Sequence, residues 1–282
     1  MKKIYIVGIG PGDLCQMTNE AVSAIEESEA VVGYTKYIDL IKDLTANKKI
    51  YMSGMKQEKE RCQKAIEFAN EGKTTSVVSS GDAGIYGMAG LIYELAEQYP
   101  DIEIKVIPGI TAAVSAAAVL GAPIMHDFAV ISLSDLLTPW EKIQKRIEMA
   151  AKADFIVCLY NPGSMKRADY LKKACEYMLM YKSEDTQCGW VKNISREGQK
   201  SGICTLRELS DFKADMFTTI IIGNSDTKAV NGKLVTPKSD SILPSITRRS
   251  LMYIAEHYLG MEVEHREVLF DEVKDFAECG LC

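Results

Sequence analysis

Lys3-Ile4-Tyr5-Ile6-Val7-Gly8-Ile9-Gly10-Pro11-Gly12-Asp13 decides the fold class. A short apolar run rich in β-branched residues ends at a glycine, which reads as a buried strand. Three glycines at alternate positions follow it, letting the chain turn tightly and bring backbone N–H groups close to a ligand. The spacing is not the dinucleotide fingerprint, because Asp13 stands where the last glycine of G-x-G-x-x-G would fall, and Pro11 removes a donor. No Gly-Lys-Ser/Thr follows, so it is not a Walker loop either.

Similar apolar runs recur outward from this one. They predict strands over 30–32, 75–79, 104–107, 128–132, 155–159, 187–191 and 218–222. Helical periodicity fills the intervals 18–29, 58–71, 86–98, 111–120, 140–152 and 167–181. Such alternation predicts an α/β fold with mostly parallel sheets and ligands at the carboxyl ends of the strands. Gly121 can end the alanine-rich helix and Pro123 forbids its continuation. The body therefore divides into two expected α/β domains, 1–121 and 122–237.

Four more turn-rich loops follow apolar strands. Ser79-Ser80-Gly81-Asp82-Ala83-Gly84-Ile85-Tyr86-Gly87 places a carboxylate between glycines. Asp82 there suits a ribose hydroxyl or a cation, or caps a helix starting near Tyr86. In Ile107-Pro108-Gly109-Ile110-Thr111-Ala112, Thr111 can cap the next helix. The others are Leu159-Tyr160-Asn161-Pro162-Gly163-Ser164 and Asn193-Ile194-Ser195-Arg196-Glu197-Gly198-Gln199.

Composition narrows the function. The 282 residues carry 33 Lys+Arg against 39 Asp+Glu, a net charge of −6, with no basic run, so a nucleic-acid partner is not expected. No apolar stretch is long enough for a membrane span, and the opening run is too short for a signal peptide, so the expected location is cytoplasmic. The eight cysteines read as reduced thiols, and the single CxxC, Cys279–Cys282, lacks a second pair, so no metal is expected. His126, beside Asp127, reads as structural. No Ser/His/Asp or Cys/His pattern supports hydrolysis.

The first three loops together resemble the tetrapyrrole methylase family: Val7–Asp13, Ser80–Gly87 and Ile107–Ala112. Ile131–Trp140, Leu159–Ser164, Ser195–Gln199 and Thr218–Ser225 are similar, within that family, to the C17-methyltransferases of precorrin-3B or cobalt-factor III in cobalamin synthesis. The resemblance covers about residues 1–237. It implies a two-domain fold with S-adenosylmethionine in the inter-domain cleft, in a homodimer. Carried over, the cofactor contacts are Pro11, Gly81, Asp82, Ile85, Thr111, Ala112, Asn161 and Ile194. Loop one, with Gly10 and Gly12, is expected to face the tetrapyrrole. Ring contraction requires proton transfers, for which Asp13, Ser134 and His126 are candidates by chemistry only. A polycarboxylate substrate on an acidic chain calls for a local basic lining, expected from Lys36, Lys56, Lys59, Arg61, Lys166, Arg167 and Arg196.

From about Asn231 this resemblance stops. The segment 238–282, beginning Lys238-Ser239-Asp240-Ser241-Ile242-Leu243-Pro244-Ser245-Ile246-Thr247, looks like a fragment of a branched-chain amino acid aminotransferase, a pyridoxal-phosphate enzyme. The Schiff-base lysine of that family lies upstream of the fragment, so transamination is not expected. Ser245 and Gly260 bracket an expected helix with an apolar stripe.

Overall fold

The computed structural model describes residues 2–164, 168–237 and 253–263. Met1–Pro237 form one compact unit and Lys238–Cys282 another.

Five strands build the first sheet: β1 (Lys3–Gly8), β2 (Ala30–Tyr34), β3 (Lys49–Ser53), β4 (Thr75–Ser79) and β5 (Glu103–Ile107). Their order is β3-β2-β4-β1-β5 and every pairing is parallel. The apolar runs are continuous because both faces are covered. Tyr5 and Val7 pack with α1 (Asn19–Glu27) and α2 (Thr35–Leu40). A short α3 (Lys42–Thr45) follows α2. Ile4, Ile6 and Val77 pack on the opposite face against α4 (Glu58–Asn70) and α5 (Ala89–Ala96). Thr18 caps α1 by accepting from Ala21 N at 3.1 Å.

The next elements are α6 (Ala112–Leu120), β6 (Gly121–Ala122), β7 (Phe128–Ser132), α7 (Trp140–Lys152), β8 (Ile156–Tyr160), α8 (Tyr170–Met178), β9 (Gln187–Lys192), β10 (Lys200–Thr205), α9 (Leu206–Ser210) and β11 (Thr218–Ile222). The second sheet has the order β10-β9-β11-β8-β7. Only β7 and β8 pair in parallel; the other neighbours are antiparallel, against the expectation of mostly parallel sheets. For β9 and β10 the cause is connection length. The loop 193–199 is too short for the dozen or more residues that a parallel crossover needs, so β10 must fold straight back on β9. Ile143, Ile147, Leu159, Leu171 and Ile220 fill one face of this sheet. Ala113, Ala116 and Leu120 of α6 cover the other, against Ile156, Cys158 and Ile221. The helix preceding the expected division at 121/122 thus shares its core with the sheet that follows it. Gly121 ends α6 at φ 134°, and β6 pairs with β13 (Lys233–Val235), itself paired to β12 (Lys228–Val230).

Sequence periodicity missed β3 and β10. Both are edge strands with much of their surface exposed, so they lack an unbroken apolar run. The helix expected from residue 86 begins at Ala89, because Tyr86 sits at φ 54° and breaks the helical path. No helix among the described residues is long and apolar enough to cross a membrane. In the C-terminal unit, Tyr258 N donates to Ile254 O at 2.9 Å and Gly260 takes φ 61°. Ser245, Cys279 and Cys282 lie outside the described residues.

Candidate functional site

Strand order explains why three distant loops meet. β1 lies between β4 and β5, so the loops after Gly8, Ser79 and Ile107 emerge side by side at one edge of the sheet. Glycine permits the contact. A Cβ on Gly8 would lie 2.7 Å from Gly109 N, and one on Gly109 would lie 2.2 Å from Gly81 O. Gly10 and Gly81 exchange two backbone hydrogen bonds: Gly10 N to Gly81 O at 3.1 Å and Gly81 N to Gly10 O at 2.7 Å. The second sheet supplies the carboxyl ends of β8 and β9 and, because β11 runs antiparallel to both, the start of β11.

These segments enclose a cavity of about 160 Å3. From the first three loops it is lined by Pro11, Ser80, Gly81, Asp82, Ile85, Tyr86, Thr111 and Ala112, with Tyr37 at the start of α2. From the second sheet come Tyr160, Asn161, Asn193, Ile194, Arg196 and Met216–Thr219. The eight positions that the resemblance assigned to the cofactor all line this one cavity. Backbone strain concentrates there too: Tyr86, Asn161 and Asn193 hold φ of 54°, 52° and 52°, and neighbouring Ser195 holds 54°. Left-handed non-glycine residues are uncommon and cluster at ligand sites.

Asp82 settles between its two sequence readings. Its Oδ1 accepts from Gly84 N at 2.8 Å and Ile85 N at 3.1 Å, and its Oδ2 accepts from Gly109 N at 3.0 Å. It caps a turn rather than α5, and it ties loop two to loop three. Thr111 stands at the N-cap of α6 without capping it. Its Oγ1 instead shares a 2.5 Å hydrogen bond with the Tyr160 hydroxyl, and Ala113 N donates to that same hydroxyl at 2.6 Å. The second sheet therefore caps the helix from outside. Burial pushes the Tyr160 hydroxyl upward, and the bonds to Thr111 and Ala113 only partly oppose this, so it stays protonated at neutral pH.

Tyr86, present in the second loop's sequence but given no role there, also lines the cavity. Its hydroxyl donates to Val130 O at 3.0 Å and accepts from Ser132 N at 3.1 Å. β7 is an edge strand, and the tyrosine satisfies two of its outward-facing backbone groups. Tyr86 and Tyr160 lie with ring centroids 5.7 Å apart. Asn161 Nδ2 donates to Ser132 Oγ at 3.0 Å, so the same end of β7 is held twice.

The candidates for proton transfer are not brought together. Asp13 caps the 3-10 turn Leu14–Gln16 by accepting from Cys15 N at 2.9 Å, a bond that holds its carboxyl below the usual range. His126 Nε2 lies 3.1 Å from Pro237 O. Ser134 N donates to Ser132 Oγ at 3.2 Å. None of the three lines the cavity. Of the expected basic lining, Arg196 is the one found there among the described residues. Arg61 is a correction: it is buried, and its guanidinium is spent on Ser53 Oγ, Gly54 O and Glu58 Oε1, tying β3 to α4. Lys36, Lys56 and Lys59 are exposed and away from the cavity. Lys166 and Arg167 lie outside the described residues.

Two α/β sheets whose strand ends meet at one glycine-lined cavity have the architecture of an enzyme with a small-molecule site between its sheets. A family model described as Tetrapyrrole (Corrin/Porphyrin) Methylases matches residues 3–210, and the chain belongs to this family. It is 47% identical over 236 residues to a probable cobalt-factor III C(17)-methyltransferase of Salmonella typhimurium, covering 83% of this chain and 98% of that protein. The crystal structure of the methyltransferase CobJ superposes with a TM-score of 0.77 at 34% identity, over 83% of this chain and 99% of that one. A uroporphyrin-III C-methyltransferase of Thermus thermophilus, solved with S-adenosylhomocysteine, shares the fold at a TM-score of 0.64 and 18% identity, over 78% of this chain and 97% of that one.

Proposed function

We propose that this chain transfers a methyl group from S-adenosylmethionine to C17 of precorrin-3B or cobalt-factor III, with contraction of the macrocycle, in cobalamin biosynthesis. The observation that carries this reading is the meeting of all five loops on one cavity in a chain with such relatives.

The cavity suits the donor. A Cβ on Gly81 would stand 3.6 Å from Ala112 N and 3.7 Å from Thr111 Cα, in the space between loops two and three, so the glycine leaves a cradle open. Thr111, Tyr160 and Asp82, which carry hydroxyl and carboxylate oxygens, line the same cavity, and oxygen-bearing walls suit a sulfonium without competing for its methyl group. When bound, S-adenosylmethionine supplies an electrophilic methyl to a macrocycle carbon that is already nucleophilic. The protein's task is then mainly placement, holding the two reacting atoms about 3–3.5 Å apart and in line. Pro11, Gly81, Asp82, Ile85, Thr111, Ala112, Asn161 and Ile194 form the cofactor side. Gly10, Gly12, Lys166, Arg167 and Arg196 are the candidates for the tetrapyrrole side. Asp82 fixes the spacing of loops two and three, and Tyr160 and Tyr86 fix one sheet against the other.

A homodimer in the cytoplasm accompanies this reading, and light scattering of the purified protein tests its assembly. The deciding experiment is titration calorimetry with S-adenosylhomocysteine, followed by transfer of labelled methyl to cobalt-factor III. Binding and label in the corrinoid are expected. A protein that binds no S-adenosylhomocysteine overturns the assignment.

A further inference from the structure

Arg196 is built into the cleft in an unusual way. Its stem lies across loop one: a Cβ on Gly12 would fall 2.5 Å from Arg196 Cγ and 2.8 Å from its Nε. The absence of a side chain at Gly12 is what leaves room for the arginine. Nε donates to Pro11 O at 2.8 Å and Nη2 donates to Ser80 Oγ at 2.7 Å. The neighbouring Ser195 Oγ donates to Gln16 Oε1 at 2.6 Å, which fixes the backbone that carries Arg196 against the same loop. The guanidinium is thus held by loops one and two while its chain attachment belongs to the second sheet.

What it lacks is a counter-charge. The partners of Nε and Nη2 are a carbonyl and a hydroxyl, and no carboxylate among the described residues pairs with it. Nη1 has no hydrogen-bond partner among the described residues, although the residue lines the cavity. Arg61, by contrast, is buried with Glu58 beside it. A guanidinium cannot shed its proton to relieve burial, and a half-buried one without an anion is costly. Burial pulls Arg196 below the ordinary arginine range, and the neighbouring Tyr37 phenol opposes this only in part. The two loops thus hold two of the fork's nitrogens on a residue that lines the cavity.

We infer that Arg196 is the carboxylate receptor of this cleft, seated on a saddle made by Pro11, Gly12 and Ser80. This deepens, and rests on, the methyltransferase reading. It also gives loop one a physical task that neither nucleotide motif supplies: the glycine at position 12 is a slot for an arginine from the other sheet. Two molecules of that reaction carry organic carboxylates, the amino-acid end of the methyl donor and the acid side chains of the tetrapyrrole. Both present the planar acceptor that an arginine fork matches.

The test compares wild type, Arg196→Gln and Gly12→Ala against three probes by calorimetry and fluorescence quenching. S-adenosylhomocysteine carries the donor's carboxylate, 5′-methylthioadenosine lacks it, and uroporphyrin I stands in for a polycarboxylate macrocycle. Losing a charge-assisted bond of this kind is expected to weaken one carboxylate ligand by roughly tenfold or more. Weaker S-adenosylhomocysteine with unchanged 5′-methylthioadenosine assigns Arg196 to the donor. Weaker uroporphyrin with unchanged S-adenosylhomocysteine assigns it to the macrocycle. Unchanged 5′-methylthioadenosine also shows that the variant is folded. Gly12→Ala keeps the charge but displaces it, and the same probe should weaken. If neither carboxylate probe weakens in either variant, the inference is wrong, while wild-type binding of S-adenosylhomocysteine still upholds the methyltransferase reading. If wild type binds no S-adenosylhomocysteine, that reading fails and Arg196 is judged on uroporphyrin alone.

Discussion

Asp82 offers a sharp perturbation because its two oxygens do different work. Oδ1 receives the N–H groups of Gly84 and Ile85, which are exposed and can turn to water when the acceptor is lost. Removing such a cap costs about 0.5–2 kcal/mol. Oδ2 receives Gly109 N–H in the packed contact between loops two and three. A half-buried donor stripped of its partner costs about 1–3 kcal/mol. Asp82→Ala should therefore destabilise the protein by about 1.5–5 kcal/mol, a large share of a typical total of about 5–15 kcal/mol. Asp82→Asn separates the two parts. Its amide oxygen can serve Gly84 and Ile85, but its NH2 must then face Gly109 N–H, donor against donor. It should recover only the cap, leaving a loss of about 1–3 kcal/mol. Urea unfolding followed by circular dichroism measures both variants, and calorimetry with S-adenosylhomocysteine should show weakened binding in each, since Gly81 and Ile85 shift with the turn. An Asp82→Asn protein matching wild type in both midpoint and affinity refutes the argument, because it would mean that the bond to Gly109 does not hold the loops.

Three further outcomes follow from the same geometry. Tyr86→Phe keeps the ring but frees Val130 O and Ser132 N to water, so unfolding should shift by only about 0.5–1.5 kcal/mol, while stopped-flow release of S-adenosylhomocysteine should quicken severalfold; unchanged release would show that the bridge does not set the cleft. Gly109→Ala puts a Cβ 2.2 Å from Gly81 O, backbone against backbone, and should yield little soluble protein or lower stability by more than about 3 kcal/mol, as read by thermal unfolding. Asp154 is pushed up by burial but held lower overall by Ser225 and the buried Lys182. A depressed carboxyl stabilises the fold above its unfolded value and loses that contribution as pH falls through its folded one. The gap in urea midpoint between wild type and Asp154→Asn should therefore be full at pH 7 and close below about pH 4.

The sequence exposed what depends on neighbours along the chain and hid what depends on neighbours across it. All eight strands expected from apolar runs are present, because a run of apolar or β-branched residues marks a strand whichever neighbours it later meets. The glycine loops were legible for the same local reason. Strand order was not, yet strand order makes three of those loops adjacent. Tyr160 illustrates the limit: its hydroxyl meets Thr111 and Ala113, residues 49 and 47 positions away, and takes over a capping role that local reading gave to Thr111 itself. Tyr86 serves a strand edge 44 and 46 positions away.

The two arginines show why residue type and proximity to a glycine loop do not suffice. Arg61 and Arg196 looked equivalent as basic lining. Arg61 has a glutamate three residues before it on the same helix and is neutralised there, its guanidinium consumed in joining β3 to α4. Arg196 comes from a loop whose immediate acid, Glu197, is exposed and does not pair with it. Its surroundings are instead a carbonyl, a hydroxyl and a missing Cβ, all contributed by the other sheet. A buried charge must find its anion somewhere. For Arg61 the fold supplies one; for Arg196 the described residues supply a carbonyl and a hydroxyl that orient the fork, and that contrast is the ground for assigning it a ligand carboxylate.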